Sequence, residues 1–222
     1  QKEKNVLLKL AQKKPDGIIF NASGFTENIS YYKQVVAGNS NTVFVDGIYP
    51  DIKANFVCTE RINAYTKMCQ SVKDRNCDKV YYIDIDYWKI IKTNLDCLQG
   101  YKNVFGEENI ILSTKPYFEI IDDFCNKLSE DILKYKKVGF VFINAATANI
   151  FYYNMKDIFK KIDDVFICCV DKPNFAIPKN MHVVWLKQNL SEIAKEAVNI
   201  IKQRPKEIKE ILVPGEIEYI NF

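Results

Sequence analysis

The residues in this sequence that could do chemistry are few and scattered. There is one histidine, His182, and there are seven cysteines, at 58, 69, 77, 97, 125, 168 and 169. No two cysteines have C-x-x-C spacing, and a lone histidine cannot complete a tetrahedral nitrogen and sulfur set, so no metal site is expected. An odd number of thiols without framework spacing reads as free cysteines in a reducing compartment, used as small apolar side chains. A Ser-His-Asp arrangement would need His182, which sits in the apolar run M-H-V-V-W; a core or lobe-edge histidine fits better. G-x-S-x-G is missing, and the glycines form neither G-x-G-x-x-G nor G-x-x-x-x-G-K-[ST], which leaves no phosphate-cradling loop. Asp84 and Asp86 alternate with Ile83, Ile85 and Tyr87. That is either a carboxylate pair at the carboxyl edge of a parallel sheet, where ligands bind, or a solvated strand end. The expectation is no catalytic residue, no metal and no cofactor.

The elements that would position any site are those of an ordinary globular protein. The chain has 222 residues, enough for one large domain or two small lobes. A composition 48% hydrophobic and 27% charged sets disorder aside. A net charge of +3 lacks the dense basic face of a free-standing DNA-binding domain, so this stretch is not expected to grip DNA itself. No apolar stretch reaches transmembrane length, and the opening Gln1–Leu10 is polar and helical in pattern, unlike an export signal. The start resembles the middle of a helix and lacks an initiator methionine, so the chain is expected to be part of a longer protein.

Short apolar runs alternate with amphipathic stretches. Strands are expected at 18–20, 43–45, 80–85, 110–112, 138–143, 165–170, 182–186 and near 210–213. Helices are expected at 4–13, after Thr59 acting as a cap, and at 88–104, 120–135 and 148–162. A last helix should open at Asn189, with Glu192 completing a capping box. The helices carry i, i+3/i+4, i+7 stripes and the strands are apolar on both faces. Cys168 and Cys169, as neighbours in one strand, should point to opposite faces. Regular strand–helix alternation predicts parallel sheets covered by helices on both sides.

In this order, several segments are similar to one family. K-P-D-G-I-I-F-N-A-S, from Lys14 to Ser23, resembles the "D-G-I-I" strand of the effector domains of LacI/GalR-type transcription regulators. T-V-F-V-D, ending at Asp46, resembles their next strand. Q-G-Y at 99–101 resembles the "R-x-x-G-[FYW]" helix, and Val165 to Asp171 the "v-v-G-f-D" strand. W-L-K-Q, ending at Gln188, and the following helix with Ala194 and Ala197 resemble "T-v-x-Q…G-x-x-A". I-L-V-P, ending at Pro214, resembles the closing "l-x-P" strand.

The resemblance implies a periplasmic-binding-protein-like type I architecture: α/β, two Rossmann-like lobes with parallel sheets flanked by helices, and three crossings between them. Carried over, the crossings fall near 55–58, 185–188 and 205–210. The N-terminal lobe is then 1–55 plus 188–205 and the C-terminal lobe 58–184 plus 209–222. The first lobe looks short, and the DNA-reading headpiece that precedes it in the family has no counterpart in this chain. Ligand-contact positions carry over singly. Asp171 matches the acidic residue that accepts sugar hydroxyls, or simply ends a strand. Asn144 matches the Asn of "N-D-x-x-A", or is a turn residue; Ala145 stands where that motif has Asp. Phe118 takes the aromatic position before a ligand-packing helix, or is core. Gln188 matches the crossing Gln, or satisfies backbone. Asp46 and Ser23 lie at strand ends, and Trp88, with Tyr87, offers a stacking surface. Two departures stand out: Cys97 replaces the family's ligand-gripping Arg, and Asn76-Cys77 a usual Gly-His.

The implied function is an effector-sensing domain that binds a small carbohydrate or derivative between its lobes. It would act as a cytoplasmic homodimer, with no membrane association, and pass the signal to operator DNA through the separate headpiece. The alternative is an extracytoplasmic sugar-binding protein of a transporter or sensor system, which unpaired cysteines disfavour. An enzyme on a doubly wound sheet is a third reading, disfavoured by one histidine and no phosphate loop.

Overall fold

The computed structural model describes residues 2–13, 15–22, 28–84, 91–113 and 117–222; the side chains of Ala11 and residues 117–123 fall outside the description. The chain divides into two compact units. One comprises Gln1–Glu60, Ile90–Leu95 and Asn189–Pro214, the other Arg61–Lys89, Asp96–Gln188 and Gly215–Phe222.

The first unit is built on a four-stranded sheet in the order β1-β2-β3-β9, all parallel: β1 Ile18–Phe20, β2 Thr42–Val45, β3 Asn55–Thr59 and β9 Glu210–Val213. One face packs on helix α7, Leu190–Gln203, whose Ile193, Ala197 and Ile200 bury against Val43, Val57 and Val213. Asn189 caps that helix as its spacing predicts, accepting from the Glu192 N–H. An aromatic set of Phe20, Tyr32, Phe44 and Tyr49 forms another part of this core. Tyr32 belongs to helix α2, Ile29–Gly38, and donates its hydroxyl to Glu3 of helix α1, Lys2–Lys13, at 2.5 Å.

The second unit holds a six-stranded sheet, β10-β8-β7-β6-β4-β5. Its strands are β4 Lys79–Asp84, β5 Ile110–Leu112, β6 Lys137–Phe142, β7 Asp164–Val170, β8 Met181–Lys187 and the antiparallel edge β10 Glu216–Ile220. The other pairings are parallel. Helices α5, Tyr117–Ile132, and α6, Ala145–Phe159, cover one face over Phe140, Phe142 and Ile167, with Phe151 of α6 packed into that core. Helices α3, Ile62–Lys73, and α4, Lys92–Phe105, contribute Tyr65, Met68, Cys69, Cys97 and Tyr101 to a second core with Tyr82 and Val141. Cys168 joins the second core and Cys169 the first, on opposite faces as adjacent strand residues must be. Strand order reverses between β4 and β6, which makes their carboxyl ends the topological switch point of this sheet. The link between the parallel strands β7 and β8, residues 171–180, contains no helix. It lies instead on α6, with Phe175 stacked on Tyr152 at 3.9 Å.

Four expectations change. Residues 55–58, expected as a crossing, are the central strand β3, because Phe56, Val57 and Cys58 are buried between two neighbours. Thr59, expected to cap α3, is a buried strand residue; Arg61 holds the N-cap position without a side-chain cap bond. Residues 209–214, expected with the C-terminal lobe, fall in the first unit, since β9 pairs with β3 along its whole length. Helix α2 and strand β10 were not anticipated.

Candidate functional site

The expected site residues that the structure brings together lie in the second unit, at strand carboxyl ends. Asp171 follows β7 directly and is exposed. Its backbone is left-handed, φ 62°, and its N–H donates to the Leu186 carbonyl at 3.0 Å, which turns the chain sharply off the sheet. Few side chains tolerate that conformation; aspartate is one of them. Gln188 follows β8 and donates Nε2 to Asp171 Oδ2 at 3.1 Å.

Behind this pair lies a residue that sequence reasoning missed. Arg61, 5% exposed at the start of α3, directs Nη2 to Gln188 Oε1 at 3.4 Å and Nη1 to Cys97 Sγ at 3.8 Å. The guanidinium thus stands beside the position where the family resemblance expected an arginine and found Cys97, but it arrives from a different helix. A signal was present: only Arg61, Arg75 and Arg204 are arginines among 31 basic residues, so a planar donor fork was used selectively. Burial pushes the Cys97 thiol up to about 11, with Arg61 pulling the other way. Tyr65 and Tyr82 are also raised, first by burial and then by the neighbouring Cys97. The Tyr65 hydroxyl donates to the Phe142 carbonyl at 2.7 Å, tying α3 to the end of β6.

Asn144 sits two residues past β6, by the switch point. Its Oδ1 accepts from the Thr147 N–H at 2.8 Å and from the Thr147 hydroxyl at 3.1 Å, so this side chain caps α6. Asp84, the last residue of β4, is 2% exposed. Asp46, in the first unit, ends β2 much as Asp171 ends β7, with φ 59° and its N–H donated to the Val57 carbonyl at 3.0 Å. Phe118 lies in the first turn of α5, but its side chain is outside the described residues; Ser23, Asp86, Tyr87 and Trp88 are outside them altogether. His182 lies at the other end of β8. Its Nε2 is 3.0 Å from Asp164 Oδ1, Nδ1 faces the Asn221 carbonyl, and the ring stacks on Phe166. Among the described residues no group of three or more histidine, cysteine or acidic side chains could hold a metal ion, and no helix is long and apolar enough to cross a membrane.

A carboxylate, an amide and a buried guanidinium in series at strand ends can recognise a polar ligand by hydrogen bonding. Burial holds the Cys97 thiol beside the guanidinium protonated at neutral pH.

No family model and no curated protein matches the chain. Solved structures do. A LacI transcriptional regulator from Lactobacillus brevis has a TM-score of 0.73 at 14% identity, over 97% of this chain and 83% of that one. A sugar transporter from Clostridium phytofermentans has a TM-score of 0.70 at 19% identity, over 98% and 81%. A LacI family transcriptional regulator from Enterococcus faecium, with bound ribose, has a TM-score of 0.67 at 14% identity, over 96% and 81%. These neighbours are regulators and a sugar transporter, not enzymes. Identities this low establish the architecture: the chain has the α/β fold of LacI-type effector-binding, periplasmic-binding-protein-like modules, with parallel sheets flanked by helices.

Proposed function

We infer that this chain is the effector-sensing part of a LacI-type transcription regulator and takes a small sugar-like ligand at the carboxyl ends of its strands. The observation that carries the reading is the Gln188–Asp171 pair. Strand ends of this kind are where open α/β sheets bind ligands, and a carboxylate with an amide beside it suits vicinal hydroxyls. Asp46, Phe118, Trp88 and Ser23 are assigned as further ligand contacts on the family resemblance alone. The lobes are assigned as 1–60 with 90–95 and 189–214, and 61–89 with 96–188 and 215–222. Support comes also from the fold shared with regulators, one of which holds ribose.

In this reading the chain has no catalysis of its own. It works in the cytoplasm as a homodimer, and ligand shifts its conformational equilibrium and so its affinity for operator DNA, through a headpiece outside this sequence. Titration calorimetry against neutral pentoses, hexoses and their phosphate esters tests it. Saturable heat from at least one sugar is expected, and silence across the panel up to millimolar concentration overturns it.

A second reading has one observation in its favour: the sugar transporter shares the fold at 19% identity. The chain would then be an extracytoplasmic binding protein. Free cysteines at 58, 69, 77, 97, 125, 168 and 169 weigh against an oxidising compartment.

A further inference from the structure

The buried end of the Gln188–Asp171 pair carries information about what the exposed end takes. A guanidinium has five N–H donors, no acceptor and a permanent charge. Whatever faces Arg61 must therefore accept. Gln188 does so with Oε1, at 3.4 Å, a long contact but one of fixed sense. An amide has one oxygen and one nitrogen, so presenting the oxygen inward leaves the nitrogen as donor outward. Nε2 meets that description, 3.1 Å from Asp171 Oδ2. The carboxylate is the last link, and it accepts at about four lone-pair positions. From interior to surface the relay reads donor, acceptor, donor, acceptor. Its exposed terminus shows acceptors alone. Arg61 itself is 5% exposed and already faces Cys97 and Gln188, so it is not open to an incoming anion.

We propose that Arg61 is a positioning residue that fixes the polarity of the Gln188–Asp171 relay, so that the site selects an uncharged polyhydroxy ligand and rejects its phosphorylated or carboxylated form. The proposal rests on the sugar-sensing reading and adds the ligand's charge to it. Hydroxyl groups satisfy the Asp171 oxygens by donating. A phosphate or carboxylate brings acceptors and a like charge against them. Arg61 acts through Gln188 and does not touch the ligand.

Calorimetry on the full chain with D-ribose, D-glucose, D-ribose 5-phosphate and D-glucose 6-phosphate tests the selection. At least one neutral sugar is expected to bind tenfold or more tighter than its own phosphate. Asp171→Asn keeps a residue that tolerates the left-handed backbone and should weaken the neutral ligand at least tenfold. Arg61→Gln, which can turn either end to Gln188, should weaken it several-fold, and the donor-only Arg61→Lys should recover most of the loss. The Gln188 side-chain amide gives a second readout, and its recovery in Arg61→Lys separates relay polarity from looser packing. Its hydrogens should exchange slowly in the parent and in Arg61→Lys, and quickly in Arg61→Gln. Should the Arg61 variants fail to fold, Gln188→Glu puts a carboxylate against Asp171 and is expected to weaken the neutral sugar by the same order. A phosphate ester binding as tightly as its neutral sugar overturns the proposal and leaves sugar sensing intact. So does an Arg61→Gln protein with unchanged affinity and an unchanged Gln188 amide. Silence from all four probes removes the sugar reading and the proposal together.

Discussion

Cys97 shows how much one buried side chain owes to its surroundings. The thiol is fully buried, and that burial lifts it to about 11 even with Arg61 3.8 Å away. Cys77 is half-buried and reaches about 12, again through burial first, with Lys137 opposing. A thiol raised in the folded state contributes its stability fully below its unfolded value, about 8.5, and loses it as pH climbs through the folded value. Two outcomes follow for these residues. Disulfide-exchange titration of the native protein at pH 8 should find almost no reactive thiol, and all seven should appear in denaturant. Urea midpoints should stay level to about pH 8.5 and fall between there and pH 11–12. Prompt reaction of two or more thiols at pH 8 would contradict the burial described here. Asp171 makes a related point about backbone. Its φ of 62° is unremarkable for aspartate or asparagine and strained for a β-branched side chain. The same explanation covers Asn76, φ 55°, where the resemblance expected glycine: it lies in the turn after α3, in a left-handed conformation that asparagine also accepts.

At the level of elements, two contacts hold the helices that frame the site. Gly100 in α4 lies so close to α3 that an added Cβ would stand 2.4 Å from Tyr65 Cβ and 2.8 Å from the Ile62 carbonyl. The second of these is backbone, so the helices would have to part. Gly100→Ala is expected to destabilise the protein by about 1–3 kcal/mol, as over-packing of a tight core does, with the loss read from the denaturant midpoint; an unchanged midpoint would mean the helices yield freely. Asn144 is the second case. Losing its cap on α6 through Asn144→Ala should cost about 1 kcal/mol, and Asn144→Asp or Asn144→Ser should restore most of it. If Asn144→Ala were as stable as the parent, the cap would not explain this residue. Much of this framework was legible in the sequence. Apolar runs with turn residues between them located β1, β2 and the strands from β4 to β9, and stripes such as Phe151, Met155 and Ile158 located the helices. What was not legible has physical causes. Helix α2 buries only Tyr32 and Val35, and its V-V-A-G end weakens the helical signal. Strand β3 is five residues long and looks like a connection until its two partners are known. Strand β10, E-I-E-Y-I, alternates only over its first four residues and pairs with β8, which lies some thirty residues back in sequence. Asp171 and Gln188 could be named in advance only because the family resemblance carried its ligand positions onto them. Arg61 stood out only as one of three arginines, and its role was hidden because its partners Cys97 and Gln188 lie 36 and 127 residues away in sequence.

The two units differ in how deeply they are built, and that difference should be measurable across the whole molecule. In the second, β6 and β7 are flanked by strands on both sides and by helices on both faces, with Val138, Phe140, Val141, Phe142, Ile167, Cys168 and Cys169 almost wholly buried. In the first, β1 is a three-residue edge strand with Ile19 44% exposed, and the opposite edge, β9, leaves Leu212 45% exposed. Local opening costs least where few buried apolar contacts and few shared backbone bonds must be broken, and approaches the global unfolding free energy at the centre of a sheet. Amide hydrogen exchange followed by peptide mass spectrometry should therefore rank the chain. Peptides covering α1 and β1 should exchange first, those covering β2 and β3 should be intermediate, and those covering β6 and β7 should be last. A ligand that binds at Asp171 and Gln188 stabilises only states in which that pair is intact. Saturating sugar should accordingly slow exchange at the ends of β7 and β8 and at the start of α3, where Arg61 sits, and leave the outer edge of β10 unchanged. Uniform exchange across both sheets without ligand would refute the ranking. Protection confined to β10 on adding sugar would place the ligand elsewhere than at these strand ends.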